Sequence, residues 1–287
     1  MREFKDKVAV ITGAASGIGL GLARRCVREG MRVVLADVEQ DALIKAEKEL
    51  TAMGGNALPV LTDVSKADDV TKLAEKTIES FGEVHLLCNN AGVGGAAGAI
   101  WESSMAEWEW AIGVNLWGVI HGIRSFVPIM LSQDTECHIV NTASTAGLLP
   151  YHPGAAYQVT KHAVVAMSEH LHRSLAEKSS KVKASVLCPG FVKTRILSSL
   201  RNQPAQCRVA SSAGPLSPEA EEAAWKYVEK EFKVLSPEQT ADMVFTAVRE
   251  ERFYILTHPE FNEAVKKRME DILQGRNPAI TPISFRK

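Results

Sequence analysis

Five cysteines without a Cys-x-x-Cys pair, and eight histidines without a zinc-type spacing, leave this chain with neither a disulfide framework nor a metal-ligand motif. Cys26, Cys88, Cys137, Cys188 and Cys207 are odd in number and far apart. That predicts free thiols in a reducing, cytoplasmic compartment, three of them filling strands or helices. An excess of either charge is also missing. The formal net charge of −1 gives no reason to expect nucleic acid or an anionic membrane as partner. The run Lys266-Lys267-Arg268 is flanked by Glu263, Glu270 and Asp271, and reads as a solvated helix face. No stretch of about 18 uncharged apolar residues predicts a membrane span. The N-terminus opens on alternating charges, unlike a signal peptide. Internal repeats and low-complexity tracts are absent. What remains is 287 residues, 46% apolar and 23% charged, ordinary for a soluble globular α/β protein with a full core.

Lys7 to Thr12 is a β-branched run suited to a strand buried on both faces. It ends in Thr12-Gly13-Ala14-Ala15-Ser16-Gly17-Ile18-Gly19, followed by a helical pattern through Arg28. Strand, glycine turn and helix together present backbone N–H groups and a helix N-terminus to a phosphate. A tight turn whose Gly17 and Gly19 serve only packing is the plainer reading. Arg32 to Asp37 is a second strand. Asp37 follows Gly19 at about the twenty-residue spacing expected of the acid that binds an adenosine ribose. It could also simply cap the helix Asp41–Met53. A carboxylate there accepts bonds from ribose hydroxyls and repels a 2′-phosphate, and no Arg or Lys lies in the glycine turn. NAD is therefore expected, with NADP second.

A third strand, Ala57–Thr62, runs into Asp63-Val64. Asp63 either contacts the adenine edge or helps Ser65 cap the helix through Phe81. Val84–Asn89 is a fourth strand leading into Asn89-Asn90-Ala91-Gly92, where an asparagine pair can stitch two strand ends and Gly92 leaves room for a flat ligand. A long helical pattern covers 105–132. Asn115 inside it needs a partner, so a water or a kink is implied. Pro128 should bend or end that helix. Cys137–Ala143 is a fifth strand with Ser144 just past its end, and a helix follows over Ala155–Lys178. Val182–Cys188 is a sixth strand, and Pro189-Gly190 turns from its carboxyl end, where open parallel sheets bind ligands. Periodicity fails over 193–235, with short helices at 195–201 and 219–232. This segment reads as a lid or a mere surface excursion. Ser236-Pro237-Glu238 opens a further helix, Phe253–Leu256 is a last strand and 259–274 a closing helix.

Within the helix Ala155–Lys178, Tyr157 and Lys161 stand four apart, on one face. A phenol has a reference pKa of about 10, too high for acid/base work near neutrality. A cation at ~4 Å and an effective dielectric of ~20 favours the phenolate by at most roughly 4 kcal/mol, or about three pKa units. The pair could therefore form an acid/base that works near neutral pH. Tyr and Lys at this spacing also occur by chance in many helices.

With Thr12–Gly19, Asn89–Gly92, Asn115, Ser144, Tyr157, Lys161 and Pro189-Gly190 in this order, the chain resembles the short-chain dehydrogenase/reductase family. The likeness covers roughly residues 5–195 and resumes, more loosely, after 236. It implies a doubly wound parallel sheet (a Rossmann fold) of strand order 3-2-1-4-5-6-7 over a single domain, 1–287. It also implies roles. Tyr157 would exchange a proton with the substrate oxygen, and Ser144 would hold that oxygen by a hydrogen bond. Lys161 would lower the Tyr157 pKa and bond the nicotinamide ribose, while Asn115 would support a water linking Lys161 to solvent. Gly13, Ser16, Gly17, Ile18 and Gly19 would line the cofactor from the first turn. Asp37, Asp63, Val64, Asn90, Ala91 and Gly92 would do so from the middle strands, and Pro189, Gly190, Val192 and Thr194 from the sixth. The hydride belongs to nicotinamide; the protein supplies position and electrostatics.

Family members commonly form tetramers through the two long helices, so a homo-oligomer, tetramer or dimer, is expected. The expected reaction is reversible oxidation of a secondary alcohol with NAD. An NADPH-preferring carbonyl reductase and a non-catalytic dinucleotide-binding regulator are the alternatives. Substrate neighbours are expected to include Tyr151, His152, Phe191 and Trp225, in an apolar site, while Trp117 reads as too deep to reach it.

Overall fold

Seven strands form one parallel sheet of order β3-β2-β1-β4-β5-β6-β7. They are β1 (Val8–Thr12), β2 (Arg32–Asp37), β3 (Asn56–Leu61), β4 (Leu86–Asn89), β5 (Cys137–Thr142), β6 (Val182–Cys188) and β7 (Tyr254–Leu256). The computed structural model describes residues 1–95, 99–151, 154–178, 180–207, 214 and 216–278. Side chains of β1 alternate between two hydrophobic layers: Ala9 and Ile11 join one, Val8 and Val10 the other. That is the period-two burial of a strand covered on both faces. Helices α1 (Gly17–Arg28), α2 (Gln40–Ala52) and α8 (Pro237–Arg249) cover the first face through Leu22, Leu50 and Phe245. On the second face, α3 (Ala67–Phe81) brings Leu73, α5 (Gly118–Ser132) brings Phe126 and Met130, and α6 (Ala155–Glu177) brings Leu175. Strand order reverses between β1 and β4, so a crevice opens at their carboxyl ends.

Helix starts follow local chemistry. Ser104 and Glu107 form a capping box at α4 (Met105–Ile112), as Ser236 and Gln239 do at α8, where Pro237 takes the first turn. The expected β4 start at Val84 is two residues early. Gln133 takes both backbone groups of Val84, accepting from its N–H at 2.9 Å and donating to its C=O at 2.9 Å, so strand pairing begins later.

The helical pattern over 105–132 is continuous and changes type at Asn115, where the sequence implies a kink or a water. A π-helical turn, Gly113–Trp117, separates α4 from α5, which carries Pro128 inside it and ends at Ser132. Such turns are frequent at functional sites, and this one carries Asn115. Together the run is long and apolar enough, by length and composition only, to cross a membrane, although Glu107, Glu109 and Arg124 fall within it. Here it packs on β4, α3 and α6. Trp117 corrects an expectation: it is half exposed rather than deep, stacked on His121 with ring centroids 5.8 Å apart.

After β6 the chain forms a 3-10 segment, Arg195–Asn202, and helix α7 (Pro218–Glu231). Residues 208–213 and 215, between them, lie outside the described residues, as does His152. The closing helix is a 3-10 turn, Pro259–Phe261, followed by α9 (Asn262–Leu273).

Candidate active site

A groove of about 500 Å³ lies along the carboxyl ends of the strands. Gly13, Ser16, Gly17 and Ile18 form one wall. Gly13 and Gly17 have φ of +65° and +52°, and a Cβ at either would lie 2.9 Å from an atom of Ala91 or Thr194. Ser16 flanks α1 without a side-chain cap bond, so the first N–H groups of this helix remain available to an anion. Gly19 does not reach the groove. A Cβ there would stand 2.0 Å from the Gly13 carbonyl oxygen, so this glycine lets helix and turn pack. Gly19→Ala is expected to cost about 1–3 kcal/mol of stability by overpacking and to weaken dinucleotide binding more than tenfold by displacing the turn. Urea denaturation and NADH fluorescence titration measure the two effects.

The middle wall is built by asparagines. Asn90 donates from Nδ2 to the Thr12 carbonyl at 3.0 Å, and the Asn90 and Ala91 N–H groups both donate to Thr12 Oγ1. Asn89 Nδ2 donates to Asn141 Oδ1 at 2.9 Å. The expected stitching of strand ends is present, linking β1, β4 and β5. Asn90, Ala91 and Gly92 line the groove, with Asp63 and Val64 opposite. Asp63 Oδ1 also accepts from both the N–H and the hydroxyl of Ser65. It thus borders the groove and shapes the turn before α3, rather than doing one of the two.

Asp37 Oδ2 accepts from the Ala15 N–H at 2.9 Å, and Oδ1 from the Glu39 N–H at 3.0 Å. The carboxylate steadies the chain entering α2 and still faces the groove. Burial raises its pKa; the two N–H groups oppose that rise, and the neighbouring Glu39 charge adds to it.

Ser144, Tyr157 and Lys161 converge at the other end. Ser144 Oγ accepts from the Ala146 N–H at 3.1 Å and donates to the Pro189 carbonyl at 3.4 Å. Lys161 Nζ donates to the Thr142 carbonyl at 2.9 Å and lies 5.5 Å from the centre of the Tyr157 ring. The sequence-based expectation of a lowered phenol pKa is not met in the protein alone. Burial raises Tyr157 above its ordinary value, with a hydrogen bond to Ser144 opposing, and burial brings Lys161 down to about 8, with Cys188 opposing. Desolvation acts on both charged forms, and the ammonium donates to the Thr142 carbonyl.

Asn115 is fully buried behind this set and does not line the groove. Its Oδ1 accepts from the Val93 N–H at 2.8 Å, and its Nδ2 donates to the Val93 carbonyl and to Thr160 Oγ1. A Cβ at Gly92 would lie 3.4 Å from both Asn115 Oδ1 and Lys161 Nζ, so the missing side chain leaves a gap between them. Pro189, Gly190, Val192 and Thr194 complete the rim. Gly190 is required where it stands, since a Cβ would meet the His258 ring at 2.7 Å.

Among the expected substrate neighbours, Tyr151, Phe191 and Trp225 line the groove. The Tyr151 hydroxyl is 2.5 Å from Thr145 Oγ1, and burial pushes its pKa up to about 12. Trp225 Nε1 donates to the Thr194 carbonyl at 3.1 Å, anchoring α7 over the rim. Sequence reasoning missed Glu39, Arg195 and Arg201, which also border the groove. No local pattern could have joined them, because Glu39 and Arg201 are 162 residues apart.

Residues 7–205 match the family model for short chain dehydrogenases. The chain is 35% identical over 287 residues to the CLA biosynthesis dehydrogenase/reductase of Lactiplantibacillus plantarum, covering 98% of each. Over 271 residues it is 32% identical to the 1-deoxy-11-beta-hydroxypentalenate dehydrogenase of Streptomyces exfoliatus, covering 94% of this chain and 90% of that one. A crystal structure of a short chain dehydrogenase/reductase from Burkholderia phymatum in complex with NAD superimposes with a TM-score of 0.90. It is 44% identical and the match covers 98% of this chain and 99% of that one.

Proposed function

The chain belongs to the short-chain dehydrogenase family, and we propose that it catalyses hydride exchange between NAD and a secondary alcohol or its ketone, with Tyr157 as the acid/base. The observation that carries this reading is that Ser144, Tyr157 and Lys161 line the same groove as the glycine turn and Asp37, with Lys161 Nζ 5.5 Å from the centre of the Tyr157 ring. The glycine turn, the open N-terminus of α1 and Asp37 fit a dinucleotide, whose nicotinamide takes or gives the hydride when bound. In oxidation, Tyr157 Oη receives the hydroxyl proton while the carbinol C–H leaves as hydride and the C–O bond becomes a carbonyl. Reduction returns the proton from the same oxygen. Ser144 Oγ, oriented by the Ala146 N–H, holds the reacting oxygen. Lys161, tied to Thr142, places positive charge behind the phenol.

The described parts of the 193–235 segment, Arg195–Asn202 and α7, act as a lid; in support, Arg195, Ile196, Leu197 and Trp225 border the groove. Half-exposed or exposed apolar side chains at Met105, Trp117 and Val159 support a homo-oligomer formed through the two long helices. Five free thiols suit a reducing, cytoplasmic setting.

Preference for NAD rests on the Asp37 carboxylate. An NADH-absorbance screen over steroid, cyclic, aliphatic and sugar-derived secondary alcohols tests the activity. The same assay with both dinucleotides tests the preference: Asp37→Ser should shift the NADP-to-NAD ratio of kcat/KM upward by about tenfold or more. An unchanged ratio in that variant would favour the NADPH-dependent carbonyl reductase instead.

A further inference from the structure

Glu39 stands two residues beyond Asp37, on the same rim of the groove. Its Oε1 accepts from Arg201 Nε at 3.0 Å, Arg201 Nη2 at 2.6 Å and Asn202 Nδ2 at 3.0 Å, and its Oε2 from Arg195 Nη1 at 3.4 Å. One acidic side chain thus gathers two guanidiniums from a segment more than 150 residues away. Arg201 is also fixed independently of Glu39, because its Nη1 donates to the carbonyls of Arg195 at 2.9 Å and Ser198 at 3.1 Å. The guanidinium would stay over the rim without Glu39.

We propose that Glu39 is a second determinant of dinucleotide choice, acting by neutralising Arg195 and Arg201, which would otherwise hold the 2′-phosphate of NADP at the ribose rim. The proposal rests on the reading of the groove as an NAD site with its ribose at Asp37. A guanidinium fork matches a phosphate as well as it matches a carboxylate. With Glu39 in place, a 2′-phosphate must displace that carboxylate from Arg201 and lie beside a second one on Asp37. With glutamine there, two arginines face one carboxylate, and the shape of the rim is kept. The arginines are brought by Arg195–Asn202, so the discrimination is assembled only when that segment is folded against the turn between β2 and α2.

The test uses ligands that need neither substrate nor nicotinamide. Adenosine 2′,5′-bisphosphate and 5′-AMP compete against NADH, followed by fluorescence, in the full chain. Glu39→Gln should improve binding of the bisphosphate relative to AMP by about tenfold, the scale of one charge-assisted hydrogen bond. Glu39→Gln combined with Arg201→Met should lose most of that gain. Arg195→Met with Arg201→Met in the otherwise native chain should leave the ratio nearly unchanged, because neutralised arginines contribute little to a phosphate. Equal weakening of both ligands in Glu39→Gln would mean that Glu39 only fastens the segment, and would overturn the proposal. So would a tenfold loss of bisphosphate binding in the double arginine variant. A native chain that binds neither NADH nor AMP would instead remove the dinucleotide reading itself, and this inference with it.

Discussion

Tyr157→Phe is expected to lower kcat by about 10²–10⁴-fold, the range spanned by a positioned general acid/base, while NADH affinity stays within a few-fold. Phenylalanine removes one oxygen and keeps the half-buried ring beside Lys161. On the proposed reading the dinucleotide is held mainly by the glycine turn, Asp37 and the β4 loop, which this change leaves alone. Steady-state kinetics beside fluorescence titration separates the two effects. Turnover within tenfold of the native chain would refute Tyr157 as proton carrier. The pH dependence has a sign as well. Burial holds the Tyr157 pKa above its ordinary value in the protein alone, and oxidation needs the phenolate. Oxidation kcat/KM should therefore climb through the alkaline range, whereas reduction, which needs the phenol, stays level and declines only at high pH. The phenylalanine variant should show neither slope.

Lys161→Met is expected to move activity and stability in opposite directions. Turnover should fall by about 10²-fold or more, because the charge behind the phenol is lost. Stability at pH 7 should rise. Burial holds the native Lys161 pKa at about 8 against an ordinary 10.5, a gap worth about 3 kcal/mol at 1.36 kcal/mol per pKa unit. Below pH 8 both folded and unfolded chains carry the proton, and the folded state bears the full cost of a buried ammonium. Between about 8 and 10.5 the unfolded chain binds more protons, so native stability increases with pH across that window. Methionine fills similar volume without the charge, although the Thr142 carbonyl loses its donor, an offset of about 1 kcal/mol. Chemical denaturation across pH 6–11 without dinucleotide should show the variant ahead at neutrality, by about 1–3 kcal/mol, and the gap closing as pH rises. A variant less stable than the native chain at pH 7 would contradict the buried-cation account.

Much of the site could be read from local pattern. Gly13 to Gly19 announce a phosphate turn because a strand, a positive-φ glycine and a helix N-terminus must be adjacent in sequence to work. Tyr157 and Lys161 share a helix face by arithmetic. Ser236-Pro237 states its cap within four residues. The misreadings share a different cause. Val84 lost its strand place to the Gln133 side chain. Trp117 was misjudged because depth depends on which helix face the core takes.

The turn residues and the order of the short motifs, through the family resemblance they carry, were sufficient for the parallel sheet and its winding, and they singled out Ser144, Tyr157 and Lys161, which line one groove. These are interactions within a few residues or regular repeats, and they are encoded where they act. The protonation behaviour of Tyr157 and Lys161 was not encoded there, because it depends on how much water the folded chain removes from each group. Nor was the meeting of Glu39 with Arg195 and Arg201. Desolvation and long-range charge pairing exist only once distant segments pack together, and no spacing along the chain carries them.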